Sequence, residues 1–278
     1  MWLYQRMIPP VVNRAWLAEH PESVLVDARS YFDGRRGLDA YRVGHLPQAV
    51  HVDVEDLSGA PTVAGGRHPF PTPEAFARVM SVAGIGNDSV VVAYDDAAGA
   101  IAARLVWMLR LVGTDAAILD GGVRRDDVLS EADAATRHAW FAPRPWPVEA
   151  FASLEETAEL AAADAPVLDA RPSDRYQGVP HPLDDRHGHM PGARSAAWVG
   201  NVDAQLRFRT PAELRERYAE LGVTDADQAV AHCGSGVTAC HDLLAMEYAG
   251  LGRGRLFVGS WSAYTATDRP VVTGPTPH

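Results

Sequence analysis

Two short motifs occur twice in the chain, about 140 residues apart, and this repetition limits the fold more than any other feature of the sequence. Val-Leu-Val-Asp-Ala-Arg at 24–29 returns as Val-Leu-Asp-Ala-Arg at 167–171. Gly-His-Leu-Pro at 44–47 returns as Gly-His-Met-Pro at 188–191. Two imperfect copies indicate a duplicated domain rather than a solenoid, which needs at least three repeats.

A third motif shows that the two copies differ in length. Asp-Gly-Gly at 120–122 corresponds to Val-Gly-Ser at 258–260, and this pair is closer together than the other two. The first copy therefore contains an insert, which we place within Ser58–Phe70. The 278 residues suit two domains of ordinary size. We expect a first domain over 1–125, a surface-packed linker over 126–150 and a second domain over 151–278.

Within each copy, short apolar runs alternate with stretches that have helical spacing. The predicted strands are Val24–Asp27, 49–52, 90–94 and Ala116–Leu119 in the first copy, and 166–169, 195–198, 228–232 and 255–258 in the second. The predicted helices are 73–83, 99–111, Leu154–Ala162, 211–221 and 237–249, with Thr-Pro at 72–73 and 210–211 as cap and first helical residue. This alternation predicts an α/β fold, with a mainly parallel sheet flanked by helices in each domain.

The composition excludes several classes of protein. Two cysteines are too few for a disulfide scaffold or a cysteine-rich zinc module, and a formal net charge of -11 argues against broad binding to nucleic-acid phosphates. The sequence has no lysine, which removes Schiff-base chemistry and phosphate-loop lysines. No apolar run suits a membrane helix, and the first ten residues lack a signal-peptide layout. We expect a soluble cytoplasmic protein, monomeric or weakly dimeric, with no nucleic-acid or membrane partner.

The sharpest local feature is the sequence His-Cys-Gly-Ser-Gly-Val-Thr-Ala-Cys at 232–240. A predicted strand ends at His232 and a helix begins near Val237, so Cys233 lies at the sheet edge where α/β proteins bind ligands. Loop amides and the positive end of the helix stabilise an anion there, which favours the thiolate form of Cys233. The pattern predicts a reactive sulfur at Cys233, whereas Cys240, inside the helix, is typical of a packed core residue.

The equivalent loop of the first copy carries no sulfur. The third repeated motif aligns Cys233 with Asp95, in Val-Val-Val-Ala-Tyr-Asp-Asp at 90–96. A carboxylate cannot carry a transferable sulfur atom. We therefore expect the first domain to keep the fold without the chemistry.

These motifs together resemble those of the tandem-domain rhodanese family. The loop at 233–240 is similar to the active-site loop of its 3-mercaptopyruvate sulfurtransferases, and the Asp-Ala-Arg, Gly-His-x-Pro and Asp-Gly-Gly motifs are similar to the motifs of that family. The resemblance covers nearly the whole chain. It implies two rhodanese domains, the second catalytic, and sulfur transfer without a cofactor or metal. Cys233 would take sulfur from a small donor as a persulfide and pass it to a thiol, a thioredoxin-type protein or cyanide.

The residues after the cysteine bear on the choice of donor. Thiosulfate-type members resemble one another in having basic residues directly after the cysteine, whereas Gly234 and Ser235 stand there in this chain. This favours 3-mercaptopyruvate, whose carboxylate needs an arginine and whose carbonyl needs a hydrogen-bond donor. The resemblance implies Cys233, Ser235, His45 and Asp39 as catalytic residues, and Arg175, Arg186, Gly234, Gly236, Val237 and Thr238 as substrate-binding residues.

Other functions remain as alternatives. Thiosulfate:cyanide sulfur transfer is the first, and a non-catalytic module that binds or senses sulfur is the second. A metal site is conceivable because three histidines lie near two aspartates, but their spacing matches no known ligand pattern; these are His181, His187, His189, Asp184 and Asp185. The related dual-specificity phosphatases have an arginine six residues after the cysteine, where this chain has Ala239, so we predict no phosphatase activity.

Overall fold

The structure, a computed structural model, describes residues 7–135 and 138–278. The chain forms two compact units. The first comprises the described residues of Met1–Leu57 and Pro71–Trp146, and the second comprises Ser58–Phe70 and Pro147–His278. The predicted insert Ser58–Phe70 therefore packs with the second unit, and the predicted linker over 126–150 divides after Trp146.

In the described residues of the first unit, five parallel strands form one sheet in the order β1-β5-β4-β2-β3. The strands are β1 (Val11–Val12), β2 (Val24–Asp27), β3 (Val50–His51), β4 (Val91–Tyr94) and β5 (Ala116–Leu119). The helices are α1 (Arg14–Glu19), α2 (Gly37–Val43), α3 (Pro73–Val82) and α4 (Ala102–Leu111), with a 3-10 turn at Glu55–Leu57. Every residue of β2, β4 and β5 is buried, as expected for parallel strands covered on both faces.

The second unit repeats this arrangement with four parallel strands among its described residues, in the order β7-β6-β8-β9. The strands are β6 (Val167–Asp169), β7 (Arg194–Ser195), β8 (Val230–His232) and β9 (Arg255–Leu256). The helices are α5 (Leu154–Ala162), α6 (Ser173–Gln177), α7 (Pro211–Glu220), α8 (Ala239–Tyr248) and α9 (Ser260–Thr265), with 3-10 turns at Val148–Ala150, Trp198–Asn201 and Ala226–Gln228. The predicted α/β fold with two mainly parallel sheets is confirmed.

The two predicted Thr-Pro helix starts are confirmed. The hydroxyl of Thr72 accepts a hydrogen bond from the N–H of Ala75, at the start of α3. At the start of α7, Thr210 and Glu213 form a reciprocal capping box. The short elements β1, α1, α2, α6 and α9 were not predicted, because two to seven residues give too little periodicity to identify a helix or strand. Within the described ranges, no helix is long and apolar enough to cross a membrane.

The segment from residue 138 to Trp146 packs on the first unit rather than hanging free. Phe141 is buried, and its ring meets the edge of Phe76 at a centroid distance of 5.7 Å. The side chain of Asn87 exchanges two hydrogen bonds with the backbone of Ala142. Trp146 donates from Nε1 to the carbonyl of Pro71.

Ser58–Phe70, which we call the arm, is an ordered part of the second unit. Thr62 and Gly66 pair to form a tight turn, and the N–H of Gly59 donates to the carbonyl of Pro69. A Cβ atom on Gly66 would lie 2.4 Å from Oγ of Ser262, so only glycine permits this close approach to α9. The turn places the residues that follow Gly66 against the loop after β8.

Candidate active site

Cys233 lies directly after β8 and is held in place through its backbone. Its N–H donates to Oγ of Ser260 over 3.1 Å, and its carbonyl accepts from the N–H of Trp261 over 2.9 Å. Its Sγ accepts a hydrogen bond of 3.2 Å from the N–H of Gly236. The residue is only 2% exposed. The sulfur is thus fixed at the sheet edge beside an amide donor.

The loop between Cys233 and α8 provides further amide donors. Gly236 has a φ of +78°, in the left-handed region that favours glycine. Across residues 7–135 and 138–278, no acceptor contacts the N–H groups of Ser235, Val237 and Thr238. Several unused amides at the start of a helix provide a site for an anion.

In the equivalent loop of the first unit, backbone amides donate hydrogen bonds to a carboxylate. Asp95 is fully buried; Oδ1 accepts from the N–H groups of Ala97 and Gly99 over 2.8 and 2.7 Å, and Oδ2 from Ile101 and Ala102 over 2.8 and 2.9 Å. Burial raises the pKa of Asp95, while these amide bonds act in the opposite direction. The loop in this copy of the fold thus encloses an acidic group by backbone alone.

Ser235 forms a hydrogen bond with a histidine of the arm. Its Oγ lies 2.7 Å from Nδ1 of His68, and both residues are buried. Ser235, which carries the hydroxyl, is two positions after Cys233 in the chain. A hydroxyl–imidazole pair can pass a proton, so this pair is a candidate acid–base group for chemistry at Cys233.

Arg175 lies beside the cysteine loop and is bound to an aspartate. Nε and Nη2 of Arg175 donate to the two carboxylate oxygens of Asp184 over 2.8 and 2.6 Å. A Cβ atom built on Gly234 would lie 3.2 Å from Nη2 of Arg175. Burial lowers the pKa of Arg175, but the hydrogen bonds and charge of Asp184 outweigh it and the net shift is upward. The predicted substrate-binding arginine is therefore at the loop, and its charge is balanced by Asp184.

A second guanidinium group reaches the loop from the arm. Arg67 donates from Nη1 to the carbonyl of Leu183 over 2.6 Å and from Nη2 to the carbonyl of Gly234 over 3.3 Å. Burial lowers the pKa of Arg67, and the charge of Arg175 acts in the same direction. The charges of Asp184 and Cys233 oppose this shift, which places Arg67 within electrostatic range of the cysteine.

Arg186, the second arginine expected at the substrate, points elsewhere. Its Nη1 donates to the carbonyl of Thr267 over 2.9 Å, and its own carbonyl accepts from Nε1 of Trp261. Among the residues that the structure describes, no recorded contact joins its guanidinium group to the loop at 233–238. Arg67, rather than Arg186, is the neighbour of Arg175 at Gly234.

The structure assigns the proposed catalytic histidine of the first domain to packing. His45 is buried and stacks on Tyr41, with Nδ1 2.8 Å from the carbonyl oxygen of Tyr41 and Nε2 3.1 Å from that of Ala132. His189 repeats the arrangement in the second unit. Asp39 is exposed in the first turn of α2, and Nδ1 of His45 faces Tyr41 rather than Asp39. The catalytic roles of His45 and Asp39 stay predictions, and His68 is the histidine whose ring contacts the cysteine loop.

Two residues of the site, Arg67 and His68, were missed by reasoning from the sequence. They follow two glycines in the segment Gly-Gly-Arg-His-Pro at 65–69, within the insert found by comparing the copies. An arginine next to a histidine in an insert could have marked Arg67 and His68 as candidate functional residues. No local sequence pattern indicates that they contact Gly234 and Ser235, which are more than 160 positions away in the chain.

The remaining residues predicted in this region lie at the start of α8 or within it. Val237 is buried and Thr238 is half-buried just before α8. Cys240 is fully buried in α8 and donates from Sγ to the carbonyl of Gly236, and both cysteines are free thiols. In residues 7–135 and 138–278, no group of three histidine, cysteine or acidic side chains is arranged to hold a metal ion.

Comparison with known proteins assigns the family. The model of the rhodanese-like domain matches residues 13–125 and 153–267. The chain belongs to the rhodanese family. It is 37% identical, over 91% of its length and 93% of the relative, to the "Probable 3-mercaptopyruvate sulfurtransferase" of Pseudomonas aeruginosa. It is 34% identical to the 3-mercaptopyruvate sulfurtransferase of Escherichia coli K12, over 94% of its own length and 96% of that relative.

A solved rhodanese-family structure has the same fold. The 3-mercaptopyruvate sulfurtransferase from Leishmania major superposes with a TM-score of 0.83 at 28% identity, over 95% of this chain and 76% of the other. The matches extend across both copies of the repeat, so the tandem arrangement predicted from the sequence is confirmed. They also confirm the predicted enzyme class, that of the sulfurtransferases.

Proposed function

We propose that the chain takes the sulfur atom of 3-mercaptopyruvate as a Cys233 persulfide and passes it to a thiol, a thioredoxin-type protein or cyanide. One observation carries the proposal: the buried thiol of Cys233 accepts from a loop amide, and the same loop contacts a hydroxyl–imidazole pair and arginine. These are the groups that a thiolate nucleophile and an anionic keto donor require. The relatives named 3-mercaptopyruvate sulfurtransferase support this donor.

The first half-reaction begins at the thiolate of Cys233. Its sulfur attacks the sulfur of the donor, a new S–S bond forms, and the C–S bond breaks with its electron pair left on carbon. The leaving group is the enolate of pyruvate. The thiol proton of the donor moves to the enolate carbon, so pyruvate and a Cys233 persulfide anion are produced and no redox partner is needed.

Ser235 and His68 are suited to move that proton. The 2.7 Å hydrogen bond between Oγ of Ser235 and Nδ1 of His68 connects the loop hydroxyl to an imidazole ring, a group that can both accept and donate a proton. In this proposal Ser235 donates to the carbonyl oxygen as negative charge develops on it. His68 takes the thiol proton and returns it to carbon.

Arg175 is suited to bind the carboxylate of the donor. Asp184 occupies Nε and Nη2 of Arg175, and no acceptor in the described part of the chain contacts the remaining nitrogen, Nη1, which is available to the substrate. A Cβ atom on Gly234 would lie 3.9 Å from Nη1. Asp184 thus acts as a positioning residue that sets the plane of the guanidinium group.

The second half-reaction releases the sulfur. A nucleophilic acceptor attacks the outer sulfur of the persulfide, the S–S bond breaks, and its electron pair returns to Cys233 as thiolate. With cyanide the product is thiocyanate, and with a thiol it is a persulfide. Until then the outer sulfur is an anion, and the amides of Ser235, Val237 and Thr238 are the donors available to stabilise it.

Thiosulfate is the second candidate donor, and one feature of the structure favours it. The loop residues Gly234 and Ser235 carry no charge, which argued against a dianion. Arg67 and Arg175 nevertheless bring two guanidinium groups to Gly234 from other segments. These two positive charges are therefore enough to bind either the monoanion 3-mercaptopyruvate or the dianion thiosulfate.

Steady-state kinetics with both donors, using cyanide as acceptor, test the proposal. We expect a higher kcat/KM with 3-mercaptopyruvate than with thiosulfate, and complete loss of both activities in Cys233→Ala. A kcat/KM that is higher with thiosulfate would overturn the donor. Equal turnover by the wild type and Cys233→Ala would overturn the proposed enzyme mechanism.

A further inference from the structure

Ser260, the first residue of α9, has a backbone conformation that suits glycine. Its φ is +52°, in the left-handed region, where the Cβ atom of any other residue crowds a neighbouring carbonyl oxygen. Four more non-glycine residues have a positive φ in the described part of the chain, and three of them lie in exposed loops. Ser260 is instead fully buried, where the surrounding contacts must hold this strained conformation.

The first copy has glycine at the same place in the fold. In the alignment of the two copies, Gly122 is the counterpart of Ser260, and its φ is +50°. The N–H of the next residue donates to the carbonyl of Asp95 in the first copy and to that of Cys233 in the second, over 3.0 and 2.9 Å. The fold therefore needs a left-handed residue at this position, and glycine meets the need without strain.

The serine differs from the glycine by a hydroxyl group that contacts the cysteine. Oγ of Ser260 accepts a hydrogen bond of 3.1 Å from the backbone N–H of Cys233 and donates one of 2.9 Å to the carbonyl of Phe257. The two bonds link the amide of Cys233 to the residue directly after β9. A glycine could make neither bond. The strain at Ser260 is therefore accompanied by a contact with the reactive residue that needs the hydroxyl.

We propose that Ser260 is a positioning residue for Cys233, and that its strained conformation is retained because the hydroxyl fixes the main chain of the nucleophile. With its N–H on Ser260 and its carbonyl on Trp261, Cys233 is held on both sides, and its Sγ stays 3.2 Å from the N–H of Gly236. The inference rests on the proposed function, since it concerns the nucleophile of that reaction. A displacement of about 1 Å can slow attack about a hundredfold.

Two substitutions separate the hydroxyl from the strain. Ser260→Gly removes the hydroxyl and relieves the strain, because it restores the residue of the first copy. Ser260→Ala removes the hydroxyl but keeps the strained Cβ atom, so its Tm should lie about 3 °C or more below that of Ser260→Gly. In both variants we expect iodoacetamide to alkylate Cys233 at least about fivefold more slowly than in the wild type at the same pH. Mass spectrometry of the Cys233 peptide follows this reaction without any turnover.

Steady-state kinetics with 3-mercaptopyruvate provide a readout that a purely structural role would not change. We expect both variants to lower kcat about tenfold or more and to leave KM within about twofold, because the donor still binds while the attacking sulfur is displaced. Thr265→Val is the matched control, since the hydroxyl of Thr265 lies on the same helix and donates to the carbonyl of Trp261 over 2.9 Å. This control should keep kcat and the alkylation rate within about twofold of the wild type.

An alkylation rate and a kcat within about twofold of the wild type in folded Ser260→Gly would overturn the inference. An equal fall in Thr265→Val would also overturn it, because the effect would then belong to α9 as a whole. The alkylation rate separates this result from the proposed function. If Ser260→Gly slows alkylation of Cys233 while the wild type transfers sulfur from neither donor, the proposed function fails and the positioning role of Ser260 stands.

Discussion

The Asp95 loop and the Cys233 loop follow equivalent strands in two copies of one fold, and they differ in what the backbone holds. In the first unit, four amides are used by the carboxylate of Asp95. In the second unit, the amides of Ser235 and Val237 have no acceptor in the described residues. In both copies the loop directs amides at a negative group, and in the described residues the second copy leaves some of these amides for an incoming anion.

The surroundings of the two loops differ as much as the central residue. Around Cys233 stand the hydroxyl of Ser235, the imidazole of His68 and the guanidinium groups of Arg67 and Arg175. The positions after Asp95 carry Asp96, Ala97 and Ala98, which offer none of these groups. The proposed mechanism therefore requires these surrounding groups as well as a thiol in the amide loop.

Moving the cysteine to the first unit gives the largest predicted effect. Cys233→Ala should lose at least about a thousandfold in turnover, because the nucleophile is gone. The double variant Asp95→Cys/Cys233→Ala should stay equally inactive, although it restores a thiol at the aligned position. Cyanide-dependent turnover of both donors provides the measurement.

The single variant Asp95→Cys, with Cys233 intact, is the control for folding of the first unit. It should keep wild-type activity if the first loop serves only structure. Recovery of more than a few per cent of activity in the double variant would show that a thiol in the amide loop is enough and would contradict the proposed role of the surrounding groups.

Removal of the acid–base pair should have an intermediate effect. Ser235→Ala and His68→Ala should each lower kcat for 3-mercaptopyruvate about ten- to hundredfold, since proton transfer to the enolate loses its catalyst. The double variant should be no slower than the slower single variant, because the two groups act as one unit. Additive losses would contradict a shared role, and loss confined to KM would assign the pair to binding.

The sequence predicted the repeat, the two sheets, the Thr-Pro helix starts and the Cys233 loop, because each depends on local patterns of apolar residues, caps and glycines. The position of the arm could not be predicted. His68 reaches Ser235 across 167 positions in the chain, a contact for which neither periodicity nor spacing gives a signal. The packing of His45 could have been predicted from the sequence, since His189 repeats its motif in the second copy.

The helices that follow the two loops bury different ionisable side chains, an arginine in α4 and an aspartate in α8, and this difference gives the smallest predicted effect. The alignment places Arg104 of α4 at the position of Asp242 in α8, and both are fully buried. Oδ1 of Asp242 accepts from Nδ2 of Asn201 over 2.6 Å and from the hydroxyl of Tyr218 over 3.3 Å. Burial raises the pKa of Asp242 to about 7.

This pKa makes stability depend on pH. The folded state keeps the Asp242 proton up to about pH 7, whereas the unfolded chain releases it near the ordinary carboxyl pKa. Asp242 therefore contributes its full share to the free energy of unfolding below the pKa of the unfolded chain. This contribution is lost as the pH rises through the pKa of the folded state. Asp242→Asn should not lose this stability, so its free energy of unfolding relative to the wild type should rise by roughly 2 kcal/mol from pH 5 to pH 8. Urea unfolding of both proteins at pH 5 and pH 8 measures this change. The same difference between variant and wild type at both pH values would contradict the account.

Mass spectrometry of the intact chain and of its Cys233 peptide tests the central claim most directly. After exposure to 3-mercaptopyruvate, the account predicts a gain of one sulfur atom on Cys233, no gain on Cys240, and its removal by cyanide. Cys233→Ala should gain nothing. A sulfur atom located on Cys240, or turnover without any gain at Cys233, would contradict the account.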